Sequence, residues 1–216
     1  MKAILFGSIG TIAETSDMQR RAFNRAFEEA GLDWIWTEAE YAQMLKQSGG
    51  KDRIARFAEE RGESVDAEAL HARKSELFQD ALKEGVSLRP GVGEVMAQAR
   101  DEGHKIGFVT TTSEANVNQI LAATGLSRDD FAVITVAGDV EASKPDPAIY
   151  EKALAMLGLS ADEAIAVEDN PDGFQAARAA GLQTIAFPGH FHSDSDFPGA
   201  MMEVDHLVLP EERAAA

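Results

Sequence analysis

Two rhythms of apolar and polar positions follow one another along the chain. Ile4, Leu5 and Phe6 form a short continuous apolar run closed by Gly7 and Ser8, the pattern of a buried strand ending in a turn. From Asp17 to about Glu84 the period is helical. Met18, Ala22, Phe23 and Phe27 share one face, and Gly31 ends that helix. Thr37 and Glu40 have the spacing of a capping box before a second helix. Further helices fit Asp52–Arg61 and Asp66–Lys83. From Arg89 short apolar runs alternate with helical segments. Helix Val92–Arg100 precedes Ile106–Val109, and Ala115–Ala123 precedes Ala132–Val136. Pro147–Leu157 precedes Ala164–Val167, and Gly173–Ala180 precedes Thr184–Phe187.

Continuous runs rather than alternating ones predict strands covered on both faces, hence a parallel sheet in an α/β fold. The helical block separates the first strand from the rest and is too long for a simple crossover. The expected organisation is a Rossmann-like core, residues 1–13 and 88–216, with an inserted helical cap, residues 14–87. In such sheets ligands bind at the carboxyl ends of the strands, and an insert leaving the first strand there is expected to act as a lid.

Composition narrows the function classes. With 216 residues the chain can bury a sizeable core, roughly 70% of its unfolded surface. It has no cysteine, which excludes disulfides, thiolate metal sites and cysteine nucleophiles and fits a cytoplasmic setting. Acidic residues number 37 against 20 basic ones, a formal net charge of −17. That charge disfavours nucleic acid and anionic membranes as partners. No run reaches the ~20 apolar residues of a membrane span. The N-terminal run lacks the flanks and cleavage site of a signal peptide and reads better as a strand. The terminal Ala214-Ala215-Ala216 is the one low-complexity segment.

The expected strand ends carry polar chemistry in a fixed order: Gly7-Ser8-Ile9-Gly10-Thr11, then Thr110-Thr111-Thr112-Ser113, then Ser143-Lys144-Pro145, then Glu168-Asp169-Asn170. Hydroxyls just before a helix can face an anion together with backbone N–H groups. Lys144 offers a point charge to phosphate. Adjacent carboxylates beyond a buried strand are costly unless paired, and such oxygens suit Mg²⁺. Each feature alone is ordinary: a cap, a solvated lysine, a surface acidic pair. Together, each at a strand end, they predict a phosphate and Mg²⁺ site.

This order resembles the haloacid dehalogenase superfamily, a Rossmann-like phosphotransfer fold, over nearly the whole chain. Phe6 to Thr11 matches its first motif, Thr110 the second, Lys144 the third, and Glu168 with Asp169 the fourth. Residues 14–84 resemble the helical cap of the phosphoglucomutase and phosphosugar-phosphatase branch. Ala22-Phe23-Asn24, Gly49-Gly50-Lys51-Asp52-Arg53-Ile54, Leu88-Arg89-Pro90-Gly91 and Asp196-Phe197-Pro198-Gly199-Ala200 are similar to CbbY-type phosphatases, which act on sugar bisphosphates such as xylulose 1,5-bisphosphate. The resemblance implies a phosphorylated sugar or inorganic phosphate as ligand. It implies phosphate contacts from Ser8, Thr110, Thr111 and Lys144, and Mg²⁺ held by Glu168, Asp169 and the backbone carbonyl of Ile9. It also implies substrate contacts from Glu14, Arg20, Gly50, Lys51 and Arg53, with Lys51 reaching a distal phosphate.

The first motif departs from the family's pattern. Where that pattern has aspartate, any residue, aspartate, this chain has Gly7, Ser8 and Ile9. The family's first aspartate attacks phosphorus and binds Mg²⁺, and the second acts as acid and base. Gly7 has no side chain and Ile9 cannot titrate. Strand alternation points Ser8 away from its neighbours. The expectation is a folded protein that binds phosphate esters with Mg²⁺ and hydrolyses them poorly or not at all. Two fewer carboxylates also mean less repulsion toward a phosphate dianion. The alternative keeps hydrolysis, through a non-standard nucleophile or a metal-activated water. A third reading, a purely structural partner-binding module, is disfavoured by the retained Thr110, Lys144, Glu168 and Asp169.

The remaining polar residues have plainer readings. Gln19 stands where relatives commonly show histidine. His190, His192, Asp194 and Asp196 alternate on a loop without the spacing of a zinc motif. His71 and His104 read as exposed, and Trp34 and Trp36 as cap packing.

Overall fold

The computed structural model describes residues 1–45 and 49–210; the terminal alanines lie outside them. The described residues divide into two compact units. One comprises Met1–Glu14 with the residues from Val86 onward, and the other Thr15–Gly85.

The first unit is built on six parallel strands: β1 (Ala3–Phe6), β2 (Lys105–Val109), β3 (Val133–Thr135), β4 (Ala164–Glu168), β5 (Gln183–Ala186) and β6 (Met202–Glu203). Their order is β3-β2-β1-β4-β5-β6. β1 is central, with Phe6 in register with Phe108 of β2 and Val167 of β4. β1 and β4 are buried at every position, as expected of strands covered on both faces. Leu5, Val109, Ile149, Tyr150, Ala166 and Leu182 share one core cluster. The register brings the carboxyl ends of β1, β2 and β4 to one edge. The chain leaves β1 there into a single helical turn, α1 (Ile9–Ile12).

In the second unit, four helices follow in sequence: α2 (Ser16–Glu29), α3 (Glu38–Met44), α4 (Gly50–Arg61) and α5 (Ala67–Leu82). Gly31 stops α2 with φ +74°. Thr37 and Glu40 do form the capping box of α3: Glu40 N–H donates to Thr37 Oγ1 at 3.2 Å, and Thr37 N–H to Glu40 Oε2 at 2.9 Å. Asp66 caps α5 by accepting from Ala69 N–H. Trp34 and Trp36, 2% and 0% exposed, pack with Phe27 inside this unit, ring centroids 5.2 and 4.8 Å away.

The remaining helices are α6 (Val92–Asp101), α7 (Glu114–Thr124), α8 (Ala148–Leu157) and α9 (Pro171–Ala179). Two details depart from the sequence pattern. α1 and the two-residue edge strand β6 are too short to leave a periodic signal. Lys144 does not sit at the end of β3, which stops at Thr135; it lies on the segment leading into α8. Among the described residues no helix is long and apolar enough to cross a membrane.

Candidate functional site

The carboxyl edge of the sheet gathers four chain segments. Thr110, 4% exposed, follows β2, and its Oγ1 accepts from Thr112 N–H at 3.1 Å. Ser113 caps α7, accepting from Asn116 N–H, so the hydroxyl run does lead into a helix N-terminus. Thr111 is half-buried in the same turn. Arg89 ties this edge together, donating to the carbonyls of Gly10 and Phe187 at 2.8 Å each and of Pro188 at 2.7 Å. Its guanidinium lies 3.4 Å from the centre of the Phe187 ring, and burial lowers its pKa.

Glu168 ends β4 and is 0% exposed. Its Oε1 accepts from Lys144 Nζ at 2.6 Å and from Tyr150 Oη at 2.5 Å. Its Oε2 is buried without a hydrogen-bond partner. Lys144 also donates to the carbonyls of Gly7 and, at 2.9 Å, of Val109. Burial pushes the Glu168 carboxyl up, while Lys144 opposes the shift. Burial and the neighbouring Glu168 raise Tyr150 well above the ordinary phenol value. A Cβ at Gly7 would collide with Glu168 Oε1 and Tyr150 Oη, and a Cβ at Gly173 would collide with the same carboxylate. Glu168 and Tyr150 thus fill the space that a side chain at position 7 would need.

Asp169 is 8% exposed. Its Oδ1 accepts from Ser8 Oγ at 2.5 Å and from Asn170 Nδ2 at 2.9 Å. Asn170 in turn caps α9 by accepting from Gly173 N–H at 2.9 Å. Ser8, expected to point away, is therefore held on a carboxylate. Ile9 opens α1, and its carbonyl accepts from Ala13 N–H at 2.9 Å. Glu14 Oε2 accepts from His190 N–H at 2.7 Å, a loop-fixing contact.

The helical unit has its own cavity of about 230 Å³, lined by Gln19, Gly50, Arg53, His71 and Lys74 among others. Lys74, 6% exposed, donates to Gln19 Oε1 at 2.9 Å. Its Nζ lies 4.7 and 5.0 Å from the centres of the Phe23 and Phe78 rings. Burial, then Arg53, bring its pKa down to about 8. Burial also lowers the pKa values of Arg53 and His71, with Lys74 next in the case of His71. A cavity whose basic groups are all pushed toward losing their protons favours an anion.

Sequence reasoning missed Lys74, although its signal was present. It interrupts the buried α5 stripe of Leu70, Phe78 and Leu82 at helical spacing. His71, expected to be exposed, is half-buried on this cavity. Two expected contacts are used elsewhere. Lys51 pairs with Glu68 at 3.1 Å on the surface, their side chains 52% and 81% exposed. Arg20 donates to Asp17 and to the Trp36 carbonyl, bracing α2.

Comparison with known proteins decides the family. Residues 4–187 match the haloacid dehalogenase-like hydrolases. The chain belongs to this family. It is 39% identical over 214 residues to protein CbbY of Cereibacter sphaeroides, covering 96% of this chain and 93% of that protein. Protein CbbY of Cupriavidus necator is 38% identical, covering 98% and 88%. The crystal structure of CbbY from Rhodobacter sphaeroides in complex with phosphate superposes with a TM-score of 0.83 at 38% identity, covering 95% of this chain and 94% of that chain. A mutant of that protein in complex with xylulose-(1,5)-bisphosphate matches equally well. The chain is thus in the CbbY-type sugar-phosphate phosphatase branch.

The family generally uses Mg²⁺. The donors expected for Mg²⁺ in this chain do not fit that ion as they are arranged. Glu168 gives one oxygen to Lys144 and Tyr150 and packs the other against Gly173, and the Ile9 carbonyl is engaged in α1. Asp169 remains, partly engaged by Ser8 and Asn170. Among the described residues no group of three or more His, Asp or Glu could hold a metal ion.

Proposed function

We propose that this chain is a CbbY-type protein that binds phosphorylated sugars or inorganic phosphate and does not turn them over efficiently. The observation that carries this reading is at position 7. Hydrolysis in this fold needs a carboxylate nucleophile at the end of β1, and Gly7 has none, while Ile9 supplies no acid or base. By analogy with nucleophile deletions elsewhere, the deficit is on the order of 10⁴–10⁶ in rate. What supports retained binding is the phosphate and xylulose-(1,5)-bisphosphate held by the CbbY structures. The hydroxyls of Ser8, Thr110 and Thr111 and the ammonium of Lys144 are present at the sheet edge. In the helical unit, buried Lys74 and Arg53 offer positive charge to an anion.

The test is calorimetric titration with xylulose 1,5-bisphosphate and with inorganic phosphate, followed by recovery of the sugar. Saturable binding with the bisphosphate recovered intact is expected. Absence of binding to either compound would sink the reading.

One observation favours a second reading, hydrolysis by a non-standard nucleophile. Ser8 Oγ donates to Asp169 at 2.5 Å, the arrangement of a hydroxyl beside a base. Phosphate release that disappears in Ser8→Ala would establish it.

A further inference from the structure

The contacts of Glu168 and Lys144 leave little opening for a ligand. An ammonium has three donors, and those of Lys144 have three acceptors: the Gly7 carbonyl, the Val109 carbonyl and Glu168 Oε1. A phosphate oxygen reaching Lys144 must therefore displace one of them. Two are backbone carbonyls at the ends of β1 and β2, fixed by the sheet. The third is a side chain.

That side chain is in place because neither Gly7 nor Gly173 has a Cβ. Its second oxygen is buried with no partner. Buried polar atoms are normally satisfied, so the position of this carboxylate is set by the pairings of its other oxygen with Lys144 and Tyr150. With Gly7 in the first motif, the Glu168 carboxylate lies in the space that residue leaves open.

We propose that Glu168 is an internal anion, seated on Lys144 where a phosphate oxygen would otherwise bind, so that ligand and carboxylate compete for one lysine. This rests on reading the chain as a non-hydrolysing binder, and it gives that binder a built-in competitor. It also reverses the sign expected of a metal ligand. A glutamate that holds a cation for the phosphate helps binding, and removing its charge weakens binding. A glutamate that occupies the lysine hinders binding, and removing its charge strengthens it.

The experiment is calorimetric titration of inorganic phosphate, without divalent cations, into the parent chain and into Glu168→Gln. Glutamine keeps the volume and an acceptor for Lys144 and Tyr150 but gives up the charge. The affinity should rise about tenfold or more, the lower end of what one adjacent charge does to another. Gly7→Ala provides an independent arm, because its Cβ displaces the carboxylate while the charge remains in the chain. It too should bind phosphate more tightly, and it carries the test if Glu168→Gln fails a check of folding by circular dichroism. Equal or weaker affinity in the folded variants overturns the proposal. Release of phosphate from sugar esters by the parent would overturn the non-hydrolysing reading and leave the Glu168 result to be judged on its own.

Discussion

Lys144 in the sheet unit and Lys74 in the helical unit are both withdrawn from water, Lys144 with 9% of its side chain exposed and Lys74 at 6%. They are compensated differently. Lys144 has a buried carboxylate and two strand-end carbonyls. Lys74 has a carboxamide and two ring faces, and among the described residues no carboxylate pairs with it. The first is a closed electrostatic unit that a ligand must open. The second holds positive charge that, among the described residues, no carboxylate neutralises. A buried charge becomes a receptor when its own fold leaves it incompletely neutralised.

The largest expected effect comes from breaking the closed unit. Lys144→Met leaves Glu168 buried with Tyr150 alone, and breaking a buried pair on one side costs about 3–5 kcal/mol. Urea denaturation should show that loss. The double variant Lys144→Met, Glu168→Gln should lose clearly less than the two single losses added together, because the groups share one interaction. Simple additivity would show that the pair is not a unit.

Lys74→Met sharpens the other side. Its ammonium titrates near 8 in the folded chain against 10.5 ordinarily. Below pH 8 both folded and unfolded chains hold the proton, and the folded state bears the full burden of the buried charge. Between pH 8 and 10.5 the folded chain has released the proton and the unfolded chain has not, so stability rises with pH. Lys74→Met should therefore be more stable than the parent by about 3 kcal/mol at pH 7. That gap should close as pH approaches 10.5. A destabilised variant at pH 7 would contradict the unequal compensation of the two lysines.

The smallest effect separates the sequence-based cap assignment from the structural one. Lys51 lies in an exposed pair with Glu68, and such pairs contribute about 0–1 kcal/mol. Lys51→Ala should leave thermal stability and xylulose 1,5-bisphosphate affinity nearly unchanged. A large loss of affinity would instead identify Lys51 as the distal-phosphate contact the sequence implies.

Much of this was legible in the residues. The apolar runs at Ile4–Phe6, Ile106–Val109 and Ala164–Val167 marked a parallel sheet because buried strands lack alternation. Thr37 with Glu40 announced a helix start, since a capping box is local chemistry. The family motifs placed Thr110, Lys144, Glu168 and Asp169 near one another. The direction in which Glu168 turns was not legible. It depends on a void at Gly7, a gap at Gly173 and the reach of Lys144 and Tyr150, residues from three separate stretches of the chain. For the same reason the sequence could not show that Glu168 is engaged by Lys144 and Tyr150, and Asp169 by Ser8 and Asn170. The partner of Ser8 was not legible either, because strand alternation does not extend past Phe6 into the α1 turn.

Gly7 and Ile9 remove the nucleophile and the acid/base from the first motif, and on the proposed reading the chemistry of this chain is lost there. The direct measurement is phosphate release from xylulose 1,5-bisphosphate, with Mg²⁺, by the parent beside its Gly7→Asp, Ile9→Asp double variant. Silence from the parent and turnover by the double variant are expected, the new carboxylate at position 7 first expelling Glu168 and Tyr150 from the space they fill. Comparable turnover by both would contradict that reading, and would mean that another group in this chain does the chemistry.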